Sequence, residues 1–295
     1  MIKNILNISD LNKQDIVQIL DYATKLNINN ELVLKNKNIG LIFEKYSTRT
    51  RLSFQVGIKQ LGGNPIDIRF EELNFQRVES FEDTFKIMSL YLDNIVFRTT
   101  SHEKLLKAAY NFNKPIINGL SDLSHPCQII SDLYTLKDHF KSLDGLSIIW
   151  MGDMNNVLYS YFDLINLFPE ISFSVFTNKK IYDNKIKSFP KNKYIKFYFQ
   201  IDREIIANAD CIMTDVFSSM NDSDNSNELI LKDFQINNNI MKFTKDSCVF
   251  MHCLPANIGI EVTEEILNGP KSIIMKQAKN RLIAQKGILK WLNGY

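Results

Sequence analysis

Phe43-Glu44-Lys45-Tyr46-Ser47-Thr48-Arg49-Thr50-Arg51-Leu52-Ser53-Phe54 is the stretch on which the reading of the chain turns. It continues an apolar run, Gly40-Leu41-Ile42-Phe43, and leads into helical spacing through Leu52, Val56 and Leu61. A strand therefore runs out into a loop, and a helix begins with Ser, Thr, Arg and Thr. The first turn of a helix has backbone N–H groups with no partner inside the helix, and it carries the positive end of the macrodipole. Two hydroxyls and two guanidinium groups at that place make a phosphate site without any metal. Ser47 and Thr48 alone would read as an ordinary helix cap. The interleaved Arg49 and Arg51, with a strand in front, bring the phosphate reading level with it.

Upstream, Ser9 or Asp10 can cap a first helix whose apolar face is Leu11, Ile16, Ile19 or Leu20, Ala23 and Leu26. Downstream, Gly62-Gly63-Asn64-Pro65 closes the Ser-Thr-Arg helix and starts a strand at 66–68. A helix opens at Glu79-Ser80, where the acidic residues suit the dipole. A strand at 94–98 ends in Arg98. A helix at 103–111 and a strand at 116–118 follow, with 119–122 read as loop. His125-Pro126-Cys127-Gln128 then heads a helix to about residue 140. This β-α repetition is that of an open parallel sheet, whose ligands sit outside the carboxyl ends of the strands. Ser47 to Arg51, Arg98 and His125 to Gln128 all fall at such ends. Residues 1–140 form the expected first domain.

A second run of the same kind, 141–276, starts with a buried strand at 146–151. Gly152-Asp153-Met154-Asn155-Asn156 follows it and opens a helix. With only Gly152 present this is not the dinucleotide fingerprint, and there is no Walker loop. Further strands are expected at 171–176, 195–199, 211–215 and 248–251, with a short helix at 202–208. The stretch 218–227 is polar, and a last helix runs from Gln277 through Leu292. The fold class is thus α/β, with two doubly wound parallel-sheet domains.

The 295 residues carry 35 Lys plus Arg against 33 Asp plus Glu, and 45% are hydrophobic. The near balance of charge does not point to a nucleic-acid or membrane surface as the main partner. The first twenty residues lack the order of a signal peptide, and no apolar run is long enough to span a bilayer. Four cysteines in a chain of this length do not read as a disulfide framework, which favours a reduced, cytoplasmic setting.

Three constellations remain. Arg98, His125 and Gln128 at neighbouring strand ends can polarise a carbonyl oxygen, although His125 alone reads more simply as a helix N-terminal residue with a local hydrogen bond. In Phe250-Met251-His252-Cys253-Leu254-Pro255 a strand ends in His-Cys, and Pro255 makes the chain leave in extended form. Cys253 can be a small buried hydrophobe or a thiolate at a site. A zinc site from His125, Cys127, His252 and Cys253 does not match the usual ligand spacings. Asp215-Val216-Phe217-Ser218-Ser219-Met220 follows a strand and suits an ammonium group and an alkyl chain.

Ser47-Thr48-Arg49-Thr50-Arg51 followed by His125-Pro126-Cys127-Gln128 resembles the aspartate/ornithine carbamoyltransferase family. His252-Cys253-Leu254-Pro255 and Asp215-x-x-x-Ser219-Met220 resemble its ornithine branch. Glu79-Ser80-x-x-Asp83-Thr84, Gly152-Asp153-x-Asn155-Asn156, Glu261-Val262-Thr263 and Asn280-Arg281 fall in the family's order, so the resemblance covers nearly the whole chain. It implies two α/β domains with the active site in the cleft between them. The first would bind carbamoyl phosphate and the second ornithine, and the C-terminal helix, 277–295, would return to the first domain. It implies transfer of a carbamoyl group from carbamoyl phosphate to the δ-amine of L-ornithine, giving L-citrulline and phosphate, with no metal or organic cofactor and typically in a homotrimer.

Carried over by motif, Ser47, Thr48, Arg49 and Thr50 would bind the phosphate of carbamoyl phosphate. Arg98, His125 and Gln128 would hold the carbamoyl group, and Arg281 would complete that site. Asn156, Asp215, Ser219 and Met220 would bind ornithine. Cys253 and Leu254 would lie where both substrates meet, with Cys253 as the proton acceptor. Three positions depart from the family's pattern. Asn221 stands where Gly is usual, Ile258 lies where a basic residue is frequent, and Asn74 stands where a Gln reaches a neighbouring subunit's carbamoyl phosphate. Two other readings are a carbamoyltransferase for another amine (putrescine, an acylated ornithine or aspartate) and a non-catalytic carbamoyl phosphate-binding protein of the same fold.

Overall fold

Nine strands build two parallel sheets in the described residues of a computed structural model, which are 3–29, 31–73, 79–218 and 226–294. The chain divides into two units, Met1–Tyr134 with Lys279–Tyr295, and Thr135–Ala278.

The first unit holds helix α1 (Lys13–Ile28), β1 (Asn38–Phe43), α2 (Thr48–Gln60), β2 (Asn64–Arg69), α3 (Phe81–Tyr91), β3 (Asn94–Arg98), α4 (His102–Asn111) and β4 (Ile116–Leu120). Its sheet has the order β2-β1-β3-β4. β1, β3 and β4 are buried almost throughout, as expected of parallel strands covered on both faces. Phe43 pairs with Arg98 in register, so β1 and β3 end level and deliver their following residues to one edge. Helix α5 (Pro126–Phe140) follows β4.

The second unit's sheet is built from β5 (Ser147–Met151), β6 (Ser172–Phe176), β7 (Ile195–Tyr198), β8 (Cys211–Thr214) and β9 (Val249–His252), in the order β7-β6-β5-β8-β9. Between them run α6 (Asn156–Leu167), α7 (Lys179–Lys185), α8 (Arg203–Ala207), α9 (Ser226–Leu231) and α10 (Asn238–Met241), and after β9 come α11 (Glu264–Leu267) and α12 (Ile274–Leu292). Trp150, Tyr161, Phe162, Phe173 and Phe176 fill its core. From Lys279 onward α12 belongs to the first unit, where it lies against α1. A side chain at Gly287 would meet the Ile19 carbonyl oxygen at 2.4 Å, so only glycine permits this approach.

Several expected boundaries shift for local reasons. Asn12, not Ser9 or Asp10, caps α1, because Asn12 and Asp15 exchange side chain-to-backbone hydrogen bonds of 2.9 and 3.0 Å in a capping box. Ser9 and Asp10 belong to a separate turn, in which Asp10 accepts from Leu6 N and Asn7 N. Gly119 and Leu120 extend β4, and α12 starts at Ile274, before Gln277. Helices α7, α9, α10 and α11 have seven residues or fewer, too short for an apolar period to show in the sequence.

Candidate active site

At the end of β1, Glu44 N donates to Arg98 O at 2.9 Å, and the Glu44 carboxylate then gathers the loop after β3. It accepts from Thr99 Oγ1 at 2.6 Å, Thr100 N at 2.7 Å, Thr100 Oγ1 at 2.9 Å and Lys104 Nζ at 2.5 Å. Burial opposes ionisation, but the bonds from Lys104, Thr100 and Thr99 outweigh it and lower the Glu44 pKa to about 2. This acid beside the cationic loop is thus fully engaged in joining two strand ends.

Ser47 caps α2, its Oγ accepting from Thr50 N at 3.3 Å. The same oxygen accepts from Arg98 Nη1 at 3.3 Å. Thr50 Oγ1 accepts from Arg98 Nη1 at 3.4 Å and from Arg281 Nη2 at 2.9 Å. Guanidinium and amide N–H groups cannot accept, so both hydroxyls keep their own protons to donate. Each is a donor set among cations, as an anion requires.

His125 precedes α5 and is buried. Asn118 Nδ2, on β4, donates to Leu6 O at 2.8 Å and Ser124 Oγ at 3.1 Å, which braces the turn leading to His125. Arg281 Nη2 lies 2.9 Å from His125 Nε2. Arginine only donates, so Nε2 accepts and the ring is neutral. Burial first, then the charges of Arg281 and Arg98, push the His125 pKa well below its ordinary 6.5. Burial also lowers the Arg98 pKa to about 10, with the Arg281 and Arg49 charges adding to it. Arg98 stays cationic at neutral pH, and an anion placed among these arginines would relieve their mutual repulsion.

Gln128 supplies the opposite polarity. Its Nε2 donates to Asp132 Oδ1 at 2.8 Å, which fixes the amide's orientation, since a carboxylate only accepts. Gln128 Oε1 is then a buried acceptor with no hydrogen-bond partner among the described residues. A ligand with an anionic end, a carbonyl oxygen and an N–H group would match this set.

In the second unit the groups surround a carboxylate. Asp215 follows β8; its Oδ1 accepts from the Cys253 thiol at 2.8 Å and its Oδ2 from Asn155 Nδ2 at 2.7 Å. A carboxylate cannot donate, so the Cys253 sulfur carries its proton in this arrangement. Leu254 has φ 58°, and its N–H turns back to His252 Nδ1 at 2.9 Å. The extended exit expected before Pro255 is therefore replaced by a left-handed residue. His252 Nε2 lies 3.3 Å from the buried Glu261 carboxylate, which also accepts from Asn257 N. Both nitrogens of His252 thus face protein groups. Ligand atoms of Asp215, His252 and Cys253 lie within 4.8 Å of one another; Leu254 N donates to His252 Nδ1, and Asp215 accepts from Cys253 and Asn155. Cys127, of the zinc set weighed above, donates its thiol to Asn118 O at 3.3 Å, and burial pushes its pKa up to about 12.

Comparison with known proteins decides among the readings that this geometry allows. Residues 3–138 match the family model described as aspartate/ornithine carbamoyltransferase, carbamoyl-P binding domain. Residues 144–292 match that for the Asp/Orn binding domain. The chain belongs to the aspartate/ornithine carbamoyltransferase family. Within it, the chain is similar to the ornithine carbamoyltransferase of Rhodopseudomonas palustris, with 37% identity over 303 residues covering 100% of this chain and 97% of the relative. It is 41% identical to that of Methanosphaera stadtmanae, covering 97% and 98%. Among solved structures, the ornithine carbamoyltransferase from Pyrococcus furiosus gives a TM-score of 0.88 at 32% identity, covering 97% of this chain and 96% of that one.

The family's expected site residues fall as follows. Ser47, Thr50, Arg98, His125 and Arg281 form one hydrogen-bonded set. Gln128 lies three residues beyond His125, on the first turn of α5. Thr48 and Arg49 are exposed on the first turn of α2. Asp215 and Cys253 are bonded to each other, and Asn156 is the first residue of α6. Asn74, Ser219, Met220 and Asn221 lie outside the described residues, and Ile258 is exposed. Asn155 carries no role in the sequence analysis; its signals there are the Gly152-Asp153-x-Asn155-Asn156 motif and its place between a strand end and a helix start. No helix among the described residues is long and apolar enough to cross a membrane.

Proposed function

We propose that this chain transfers the carbamoyl group of carbamoyl phosphate to the δ-amine of L-ornithine, giving L-citrulline and phosphate. The observation that carries the reading is the set of Arg98, Arg281, Ser47, Thr50 and neutral His125, with Gln128 Oε1 as an acceptor beside it. Its charge suits phosphate, its N–H and O–H donors suit a carbonyl oxygen, and the amide oxygen suits the carbamoyl N–H₂.

In the reaction the neutral δ-amine attacks the carbamoyl carbon. Negative charge collects on the carbamoyl oxygen, the bond to the phosphate oxygen breaks, and phosphate leaves with the electron pair while the amine loses a proton. Thr50, Arg98 and His125 stabilise the developing oxyanion. Thr48, Arg49, Ser47 and Arg281 take the phosphate, aided by the N-terminus of α2. Asp215, Asn156, Ser219 and Met220 hold ornithine. Cys253 is the proton acceptor: its thiol proton passes to Asp215 Oδ1 and the sulfur then takes a proton from the δ-ammonium, because the amine must be deprotonated before it attacks. Leu254 lines the site next to Cys253. The first unit is the carbamoyl phosphate-binding domain, joined by the C-terminal helix, and the second the ornithine-binding domain. The chain works in the cytoplasm as a homotrimer, with Asn74 reaching a neighbouring subunit's carbamoyl phosphate, and it uses no metal or organic cofactor.

The test is ureido-product formation from carbamoyl phosphate with ornithine, putrescine, N-acetylornithine and aspartate. Citrulline from ornithine alone is the expected result. Product from another amine would overturn the acceptor, and no product from any amine would overturn the reaction.

A further inference from the structure

Asp215 serves the acceptor side only if its carboxylate is held in one orientation, and Asn155 is built to hold it. Asn155 Oδ1 accepts from Val157 N and Leu158 N, both at 3.1 Å, and so caps α6. That cap fixes which end of the amide is which: oxygen to the helix amides, nitrogen to the other side. The nitrogen meets Asp215 Oδ2 at 2.7 Å, which leaves Oδ1 to face Cys253.

The turn that carries Asn155 is held on several sides. Gly152 has φ 129°, and a Cβ there would meet the Phe217 ring at 2.6 Å. Trp150 Nε1 donates to Asp153 O at 2.9 Å. The buried Asp153 carboxylate takes Lys185 Nζ on both oxygens, at 2.8 and 2.9 Å. On the neighbouring strand, Thr214 Oγ1 donates to Met151 O at 2.5 Å, tying the end of β8 to that of β5. The donor and the carboxylate it clamps are thus both anchored to the sheet.

We propose that Asn155 is a positioning residue for the acceptor side. Its amide holds Asp215 Oδ2, so that Oδ1 is presented to the Cys253 thiol and to the incoming amine. The identity of that amine rests on the ornithine reading above; the clamp itself does not.

Asn155→Asp and Asn155→Ser test it, because Asp and Ser both keep a good helix cap while removing the amide donor. The expected result is a fall of about tenfold or more in kcat/KM for ornithine, the size of a lost hydrogen bond to a charged group. The KM for carbamoyl phosphate and the thermal midpoint should stay at the wild-type values. Asn155→Asp should be the worse of the two, since it sets a second carboxylate against Asp215. A readout independent of turnover is alkylation by iodoacetamide, because of the four cysteines Cys253 is the one that is not buried. The added negative charge of Asn155→Asp should slow alkylation severalfold by opposing thiolate formation. Wild-type kcat/KM together with wild-type alkylation would overturn the proposal, and loss of folding in both variants would reduce Asn155 to a helix cap. Should the wild-type enzyme make no citrulline, the ornithine reading falls on that result, and the alkylation rate alone decides the clamp.

Discussion

At the strand ends of the first unit the side chains that meet are Arg98, Arg281 and a neutral imidazole, with hydroxyls that accept from these arginines. At the strand ends of the second unit they are a carboxylate, a thiol that donates to it, and an amide that clamps it. Both sheets are parallel throughout, and both send their functional residues out from the same ends of their strands. The backbone plan is therefore indifferent to the sign of the ligand. It supplies an edge where loops converge, and the few residues after each strand decide whether that edge attracts an anion or an ammonium group.

The contrast is most easily broken on the cationic side. Arg98→Ala should lower kcat by 10²- to 10³-fold, about 2.7–4 kcal/mol in the barrier, because a donor to the developing charge is lost. Steady-state turnover checks this, and wild-type rates would remove Arg98 from the oxyanion set. On the other side, Lys185→Met removes the cation bonded to both Asp153 oxygens and should cost about 2 kcal/mol of stability by urea unfolding, less than for a fully buried pair since Lys185 is partly solvated. Lys185→Met combined with Asp153→Asn should recover most of the loss; no recovery would show that packing, not charge, fixes the turn.

Smaller effects sharpen the comparison through pH. The folded pKa of Glu44 is depressed from 4.5 to about 2, so its contribution to stability is present above 4.5 and is lost as pH falls from there towards 2. Glu44→Gln should flatten this part of the stability curve, and an unchanged slope would deny Glu44 its role in joining the ends of β1 and β3. His125 acts in the same direction at higher pH. Its folded pKa lies well below 6.5, so the unfolded chain binds the extra proton first and stability drops as pH falls below 6.5. Titration of the imidazole by NMR should show a neutral ring through that range.

How much of this could be read from the sequence differs by residue, for physical reasons. Ser47 to Thr50 and His125 to Gln128 each lie within a few residues of a strand end, which the local pattern shows, whereas Arg51, expected in the phosphate set, pairs with Asp67 instead. Arg281 is distant in sequence from Thr50 and His125 and joins them only through the packing of α12; without the family resemblance nothing local marks it. Asn155 and Lys185 were not legible, because an Asn at a helix start reads as a cap and a Lys in a short polar helix reads as solvated. Only tertiary contact shows that one holds Asp215 and the other Asp153. The cap of α1 was misplaced by the equivalence of Ser, Asp and Asn as caps, which the reciprocal bond from Asp15 resolves in favour of Asn12.

The central claim is the division of labour between a cationic donor set and a carboxylate acceptor set. Equilibrium binding of carbamoyl phosphate, without any amine, to the wild-type protein, Arg98→Ala and Asp215→Asn tests it most directly. The account predicts that Arg98→Ala binds far more weakly while Asp215→Asn binds as the wild type does. Equal weakening in both variants, or weakening only in Asp215→Asn, would contradict it.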